Sequence, residues 1–158
     1  MRIKIFLSTL LVLALLTGIA AAKPVVTADR TYFDINTGLY VLNGNVYIEV
    51  GNRVITAGQA KVNPATMEVW ASGGITVNQG DIYFTGESVY VYGTKDKAKI
   101  DGGVKLSRND LSISADNVEF NWRAKVAAFN GNVKVTQNGN NWSADSANYN
   151  VELNSFLP

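Results

Sequence analysis

Four carboxylates recur after a small residue, in the pairs Ala28-Asp29, Gly86-Glu87, Ala115-Asp116 and Ala144-Asp145. Carboxylates in series support two kinds of chemistry. They are hard oxygen donors for divalent cations, and in pairs they cleave glycosidic bonds as acid and base or nucleophile. Their spacing argues against both. The step is 29 residues, from 87 to 116 to 145, and Ala57-Gly58 fills the same place with no acid at all. Nothing departs from the period to mark a reacting centre, as an active site would. Histidine is absent, which removes the usual general base and the commonest metal ligand. Cysteine is also absent, so there is no thiol nucleophile, disulfide or zinc thiolate. The acids are therefore read as turn or strand-end devices. No catalytic residue, metal site or cofactor is assigned, and the chain is not read as an enzyme.

Two other groups could meet a ligand. Tyr32, Tyr47, Tyr83, Tyr90 and Tyr92 fall partly on outward phases, where they either pack across strands or stack on sugars. Lys95, Lys97, Lys99 and Lys105 form a basic cluster, and Arg123 with Lys125 a second. These are read as solvated turn charges, with lipid phosphates as the alternative partner.

The elements that must position these residues follow the same period. A glycine-led corner recurs as Gly44-Asn45-Val46, Gly73-Gly74-Ile75, Gly102-Gly103-Val104 and Gly131-Asn132-Val133. Two markers at one step define a repeat unit that cannot bury its own apolar face and must stack on its neighbours. Within each unit apolar and polar residues alternate, the signature of strands with one buried face. The forward strand brings in Val46 and Ile48, then Ile75 and Val77, Val104 and Leu106, Val133 and Val135. A hairpin turn follows at Gly51-Asn52, Gly80-Asp81, Asn109-Asp110 and Asn138-Gly139, residue types that tolerate positive φ. The return strand carries Ile55, Phe84, Ile113 and Trp142, then Ala60, Val89, Val118 and Ala147, then Phe33, Val62, Val91, Phe120 and Tyr149. A second turn near residues 36–38, 64–66, 93–95 and 123–125 leads to Leu42, Ala71, Ile100 and Phe129. Six apolar columns describe one interior shared by all units. A slip of one residue would turn every column outward, so the pattern pins the register. The fold class is all-β: an open, twisted β-jelly roll or solenoid-like stack of short antiparallel strands.

Residues 1–22 read as a secretory signal peptide. Arg2 and Lys4 give a positive start, Phe6 to Leu16 an apolar run, and Ala20-Ala21-Ala22 a small-residue cleavage site. Cleavage after Ala22 leaves an exported single domain over 23–158. The alternative is an uncleaved membrane anchor, for which the apolar run is short against a span of about 20 residues. Without Arg2 and Lys4, 12 of the 14 basic residues remain against 13 acidic ones. That balance argues against nucleic acid as a partner, since phosphate binding needs a clear basic excess.

The ordered series resembles the OstA-like family, which includes the LptA-type periplasmic bridges of lipopolysaccharide transport. The resemblance is carried by Ala28-Asp29 with Tyr32, Asp34 and Thr37-Gly38, by Leu42-Asn43-Gly44-Asn45-Val46, and by its second copy Asn130-Gly131-Asn132-Val133. Thr56-Ala57, Ser114-Ala115-Asp116 and Ser143-Ala144-Asp145 match the return-strand ending. It covers about residues 25–150. Gly58 and Glu87 depart from it, and the series ends within its fifth unit. The resemblance implies a periplasmic location, an open jelly roll whose interior receives the acyl chains of lipopolysaccharide, and end-to-end assembly with same-fold partners between inner and outer membrane.

The residues expected to line such a path are Phe33, Val46, Ile48, Ile55, Val62, Ile75, Val77, Phe84, Val91, Ile100, Val104, Leu106, Ile113, Phe120, Phe129, Val133, Val135 and Trp142. The alternative is that they fill a closed core, as large aromatics in a β interior ordinarily do. The chain would then be a structural or adhesive solenoid. Val25, Val26 and Thr27 at one end, and Tyr149, Val151 and Leu153 at the other, are expected on edge strands that pair with a second copy or a same-fold partner. The terminal strand is expected to run from Asn148 to Phe156.

Overall fold

The computed structural model describes residues 25–50 and 52–158. The leader over 1–22, its cleavage point and Gly51 of the first hairpin turn lie outside them. The described residues form one antiparallel sheet of eleven strands and a single short 3-10 turn. The strands are β1 (Val25–Thr27), β2 (Arg30–Asp34), β3 (Leu39–Val50), β4 (Arg53–Asn63), β5 (Glu68–Gln79) and β6 (Ile82–Tyr92). They continue as β7 (Lys97–Arg108), β8 (Leu111–Asn121), β9 (Val126–Gln137), β10 (Asn140–Asn150) and β11 (Ser155–Leu157). From β3 to β11 each pairs with the next in sequence, while β1 and β2 both pair with β3. The sheet does not close on itself.

The glycine corners bend strands rather than end them. β3, β5, β7 and β9 run straight through Gly44-Asn45, Gly73-Gly74, Gly102-Gly103 and Gly131-Asn132. At each corner the register shifts, as between Asn43 and Val46 or Asp101 and Val104. An extra residue in one strand is a β-bulge, which bends and twists its strand. Positive φ at both corner residues, such as +78° at Gly131 and +49° at Asn132, explains why glycine and asparagine hold these places. The expected short strands are thus halves of long bent ones, and the bends fold the sheet into two layers. Residues 46–50, 53–57, 75–79, 82–86, 104–108, 111–115, 133–137 and 140–144 form layer A. Residues 39–43, 59–63, 68–72, 88–92, 97–101, 117–121, 126–130 and 146–150 form layer B.

Contacts between the layers show that the sheet has folded over. Phe84 of layer A stacks on Phe129 of layer B, with ring centroids 6.2 Å apart. Trp142 of layer A meets Phe156 of β11 edge to face at 5.0 Å. The tips of layer B are stitched from unit to unit. The Met67, Asp96 and Lys125 carbonyls accept from Gly93 N, Trp122 N and Val151 N at 3.0, 3.1 and 2.9 Å. Those three carbonyls belong to residues of positive φ, at +56°, +55° and +61°.

Candidate functional site

The apolar columns become continuous cross-strand ladders. In layer A, Ile48, Ile55, Val77, Phe84, Leu106, Ile113, Val135 and Trp142 stand directly opposite one another, strand after strand. Beside them Val46 faces Ala57, Ile75 faces Gly86, Val104 faces Ala115 and Val133 faces Ala144. In layer B one ladder runs Phe33, Tyr40, Val62, Val69, Val91, Ala98, Phe120, Ala127, Tyr149 and Phe156. A second runs from Leu42 through Ala60, Ala71, Val89, Ile100 and Val118 to Phe129 and Ala147.

Burial along these ladders is uneven. Toward the C-terminal half the interior is sealed: Val104, Leu106, Ile113, Val118, Phe129 and Val133 are fully buried. Toward β1 the column of Leu106 and Ile113 is only half covered, at Ile48, Ile55 and Val77, while Leu42, Val46, Ala60 and Ile75 of the other columns stay buried. Phe33, on the outermost strand there, is 44% exposed and rests on Tyr40. Trp142 at the opposite end is 39% exposed. Phe33, Ile55 and Trp142 are the expected lining residues that stand outside the buried cluster and its packed neighbours. Val69, Ala127, Tyr149 and Phe156 belong to that interior as well. The two-residue alternation of their own strands was the signal for Val69 and Ala127.

Arg108 ties the layers together in the sealed half. Its guanidinium donates to Asp81 Oδ2 at 2.8 Å, to the Val151 carbonyl at 2.6 Å and to the Tyr149 hydroxyl at 3.2 Å. The hydrogen bond from Arg108 is the main reason the Asp81 carboxyl is held below its ordinary range. No column pattern pointed to Arg108, because it is a polar residue at a strand end.

Three of the four spaced carboxylates, Asp29, Glu87 and Asp116, sit over glycine corners. Asp29 and Asp116 sit over the glycine of the adjoining corner and accept from Asn45 Nδ2 and Asn132 Nδ2, each at 2.9 Å. Glu87 lies over Gly102, and Gly58 lies against Gly73. Where the acid is aspartate the corner reads Gly-Asn, and where it is glutamate or glycine the corner reads Gly-Gly. Among the described residues no group of three or more acids gathers as a metal site.

The sheet edges differ from the expectation. β1, with Val25, Val26 and Thr27, pairs with residues 47–49 of β3, and β2 pairs with residues 39–43, so both strands form one outer edge. At the other end Tyr149, Val151 and Leu153 are not on a free edge. The segment expected as one strand from Asn148 to Phe156 turns back over 151–154, and β11 covers Asn148, Tyr149 and Asn150. Tyr149 is fully buried, Val151 packs against the core, and Leu153 stands exposed at the turn. The uncovered edge is instead the first half of β10, where residues 140–146 are all exposed.

The sequence matches the family model described as LptA/(LptD N-terminal domain) LPS transport protein over residues 25–151. Among curated proteins none matches. A solved structure of similar fold is LptH of Pseudomonas aeruginosa, described as the LptA homologous periplasmic component of the lipopolysaccharide transport device. The match has a TM-score of 0.53 and 14% identity, over 62% of this chain and 75% of that one. Such a likeness speaks for the fold, an open sheet folded on itself, while the family match spans nearly every strand. The chain belongs to the LptA and LptD N-terminal domain family of LPS transport proteins.

Proposed function

We propose that this protein is an exported, periplasmic carrier of lipopolysaccharide, non-enzymatic, which shelters acyl chains between its two layers and docks through its sheet edges. The observation that carries this reading is the set of apolar ladders running through every strand from β3 to β10, one of which, in layer A, is half uncovered near β1 at Ile48, Ile55 and Val77. An acyl chain in water is unfavourable by about 0.8 kcal/mol per CH₂, so a dozen methylenes amount to roughly 10 kcal/mol. Crossing an aqueous compartment therefore needs an apolar path without gaps. Ile48, Ile55, Val77 and Phe33 offer its entrance.

Docking through the edges has its own chemical support. Asp145 on β10 holds the place in the 29-residue period that Asp29, in the bend between β1 and β2, and Asp116 on β8 hold. β11 pairs only with Asn148, Tyr149 and Asn150 of β10. The strand it fits is one bearing a Gly-Asn corner, whose amide would donate to the carboxylate. Both Gly-Asn corners of this chain are already clasped from within, at Asn45 and Asn132. That favours a different same-fold partner over a second copy at this edge. Strand addition supplies the backbone hydrogen bonds and the clasp supplies the register.

Native mass spectrometry of the purified protein with and without lipopolysaccharide tests the reading. Bound lipid, lost on Ile55→Asp while the far-ultraviolet dichroism is unchanged, is the expected result. Lipid-free protein at every concentration would instead favour a structural solenoid with a dry core.

A further inference from the structure

The outer face of layer B carries a groove of about 500 Å³, on the opposite side of the sheet from the ladders. It lies over β4 and is lined by Leu39, Val41 and Asn43 of β3, Gln59, Ala60 and Lys61 of β4, and Trp70 and Ser72 of β5. Val41, Lys61 and Trp70 share one lateral row and Asn43, Gln59 and Ser72 the next, while Ala60 belongs to the inner ladder. Val41 is 7% exposed yet stands apart from the core cluster, so it is buried on the outer side, at this groove. The Trp70 indole is stacked on Tyr90 with centroids 5.2 Å apart and planes at 12°. Tyr90 in turn touches Tyr92 at 4.0 Å and donates its hydroxyl to Glu68. The tryptophan is thus backed by a second ring that is itself tied down, and it keeps 36% exposure.

The other lining groups are two amides, a hydroxyl and one cation. Gln59 Nε2 donates to Ser72 Oγ at 3.0 Å, which fixes the amide and leaves its carbonyl oxygen as an acceptor. No carboxylate lines the groove, and Lys61 makes no ion pair among the described residues.

We infer that this groove is a binding site for an acidic saccharide. A pyranose ring has an apolar C–H face and a rim of hydroxyls. The indole suits the face, the amides and Ser72 suit the rim, and Lys61 suits a carboxylate or phosphate on the sugar. An acyl chain is a poor fit, because it would leave Asn43, Gln59 and Lys61 without partners. The groove also stands apart from the interior, so sugar and lipid would be held at separate places. The transport reading bears only on the source of the sugar, the lipopolysaccharide head group or a free envelope glycan.

Titration followed by heteronuclear NMR, with tryptophan fluorescence alongside, tests this. The probes are core oligosaccharide freed of lipid by mild acid, trigalacturonate, and neutral maltotriose. Saturable shifts at Lys61, Trp70 and Ser72 are expected with an acidic probe. Trp70→Ala should weaken binding about tenfold, and Lys61→Gln by up to about fivefold with loss of salt dependence. Capture of intact lipopolysaccharide through its acyl chains should persist in both variants. Binding of the core oligosaccharide identifies the head group as the source, and binding of trigalacturonate alone identifies a free glycan. No saturable shift with either acidic probe at millimolar concentration, or equal binding of maltotriose, overturns the assignment. Neither result touches lipid capture, which native mass spectrometry reads separately.

Discussion

The clasp between layers and corners can be tested by a substitution whose cost is readable from the geometry. Gly131 has φ of +78°, and a Cβ there would lie 2.9 Å from Asp116 Cγ and closer still to Oδ2. Gly74 has φ of +77° with nothing within 4 Å of such a Cβ. Gly74→Ala therefore measures backbone strain alone. Left-handed alanine costs about 1–2 kcal/mol, and the stiffer unfolded chain returns about 0.5–1 kcal/mol, leaving a net loss of about 1 kcal/mol. Gly131→Ala adds displacement of the carboxylate, which breaks its hydrogen bond to Asn132 at about 1 kcal/mol and forces the side chain off its rotamer at about 0.5–1.5 kcal/mol. Its expected loss is about 2–3 kcal/mol, large against a domain stability of roughly 5–15 kcal/mol.

Asp116→Gly in the Gly131→Ala background removes the obstacle and should recover about 1 kcal/mol relative to additivity. It should not recover everything. At the natural Gly58–Gly73 pair a Cβ on residue 73 would still lie 3.0 Å from the Gly58 Cα, so the backbones remain close even without an acid. Urea unfolding followed by dichroism and tryptophan fluorescence, analysed as a double-mutant cycle, gives these numbers. If Gly131→Ala costs no more than Gly74→Ala and the double mutant is additive, the carboxylate does not clasp the corner. The assignment of the spaced acids as structural devices would then fall.

Four further outcomes are expected. Lys125→Gly should stabilise by about 0.5–1 kcal/mol in the same urea assay, since φ of +61° is strained for lysine and free for glycine. Tyr90, held to about 12 chiefly by its hydrogen bond to Glu68, should titrate back toward 10 in Glu68→Gln when phenolate absorbance is followed. The sign is that of a raised pKa: the contribution is whole below pH 10 and is lost as pH rises through about 12. Leu106→Asp, placing a charge where exposure is zero, should unfold the protein, whereas Ile55→Asp at the half-covered end should fold and lose only lipid capture. Asp145→Ala should leave stability within about 0.5 kcal/mol yet weaken pairing with a same-fold partner, measured by crosslinking through residues 140–146.

Much of this architecture was legible because one period governs it. Ile48, Ile55, Val77, Phe84, Leu106, Ile113, Val135 and Trp142 were read as interior from alternation alone, and the ladders place them opposite one another. What escaped reading had physical reasons. Met67 and Lys125 occupy positive φ at the 29-residue step of Gly38, Asp96 and Asn154, but neither residue type announces that conformation. The same step required a turn at 151–154, one unit after 122–125, and so the splitting of the last strand was available in the repeat. The apolar Val151 and Phe156 masked it, because alternation looks the same on both sides of a tight turn. The outer groove left no periodic trace, since Val41, Lys61 and Trp70 come from three strands and share only a lateral row.

The layer A column is sealed at Leu106 and Ile113 and half covered at Ile48, Ile55 and Val77, and the way the layers are joined bears on that difference. In the sealed half Phe84 meets Phe129, and Arg108 links the end of β7 to the turn after β10, so the layers are held at both depth and rim. Arg108 keeps only 17% side-chain exposure, which makes its charge costly to leave without Asp81, Tyr149 and the Val151 carbonyl. Near β1, Arg53 holds the cross-strand row that Arg108 holds further along, and it donates to Gln79 Oε1 at 2.8 Å. Ile48, Ile55 and Val77 stay half covered there, in the column where Leu106 and Ile113 are fully buried. Repetition of sequence therefore does not impose repetition of burial. The same alternation yields half-covered positions at Ile48, Ile55 and Val77 and a packed core at Leu106 and Ile113, where Arg108 draws Asp81, Tyr149 and the Val151 carbonyl together.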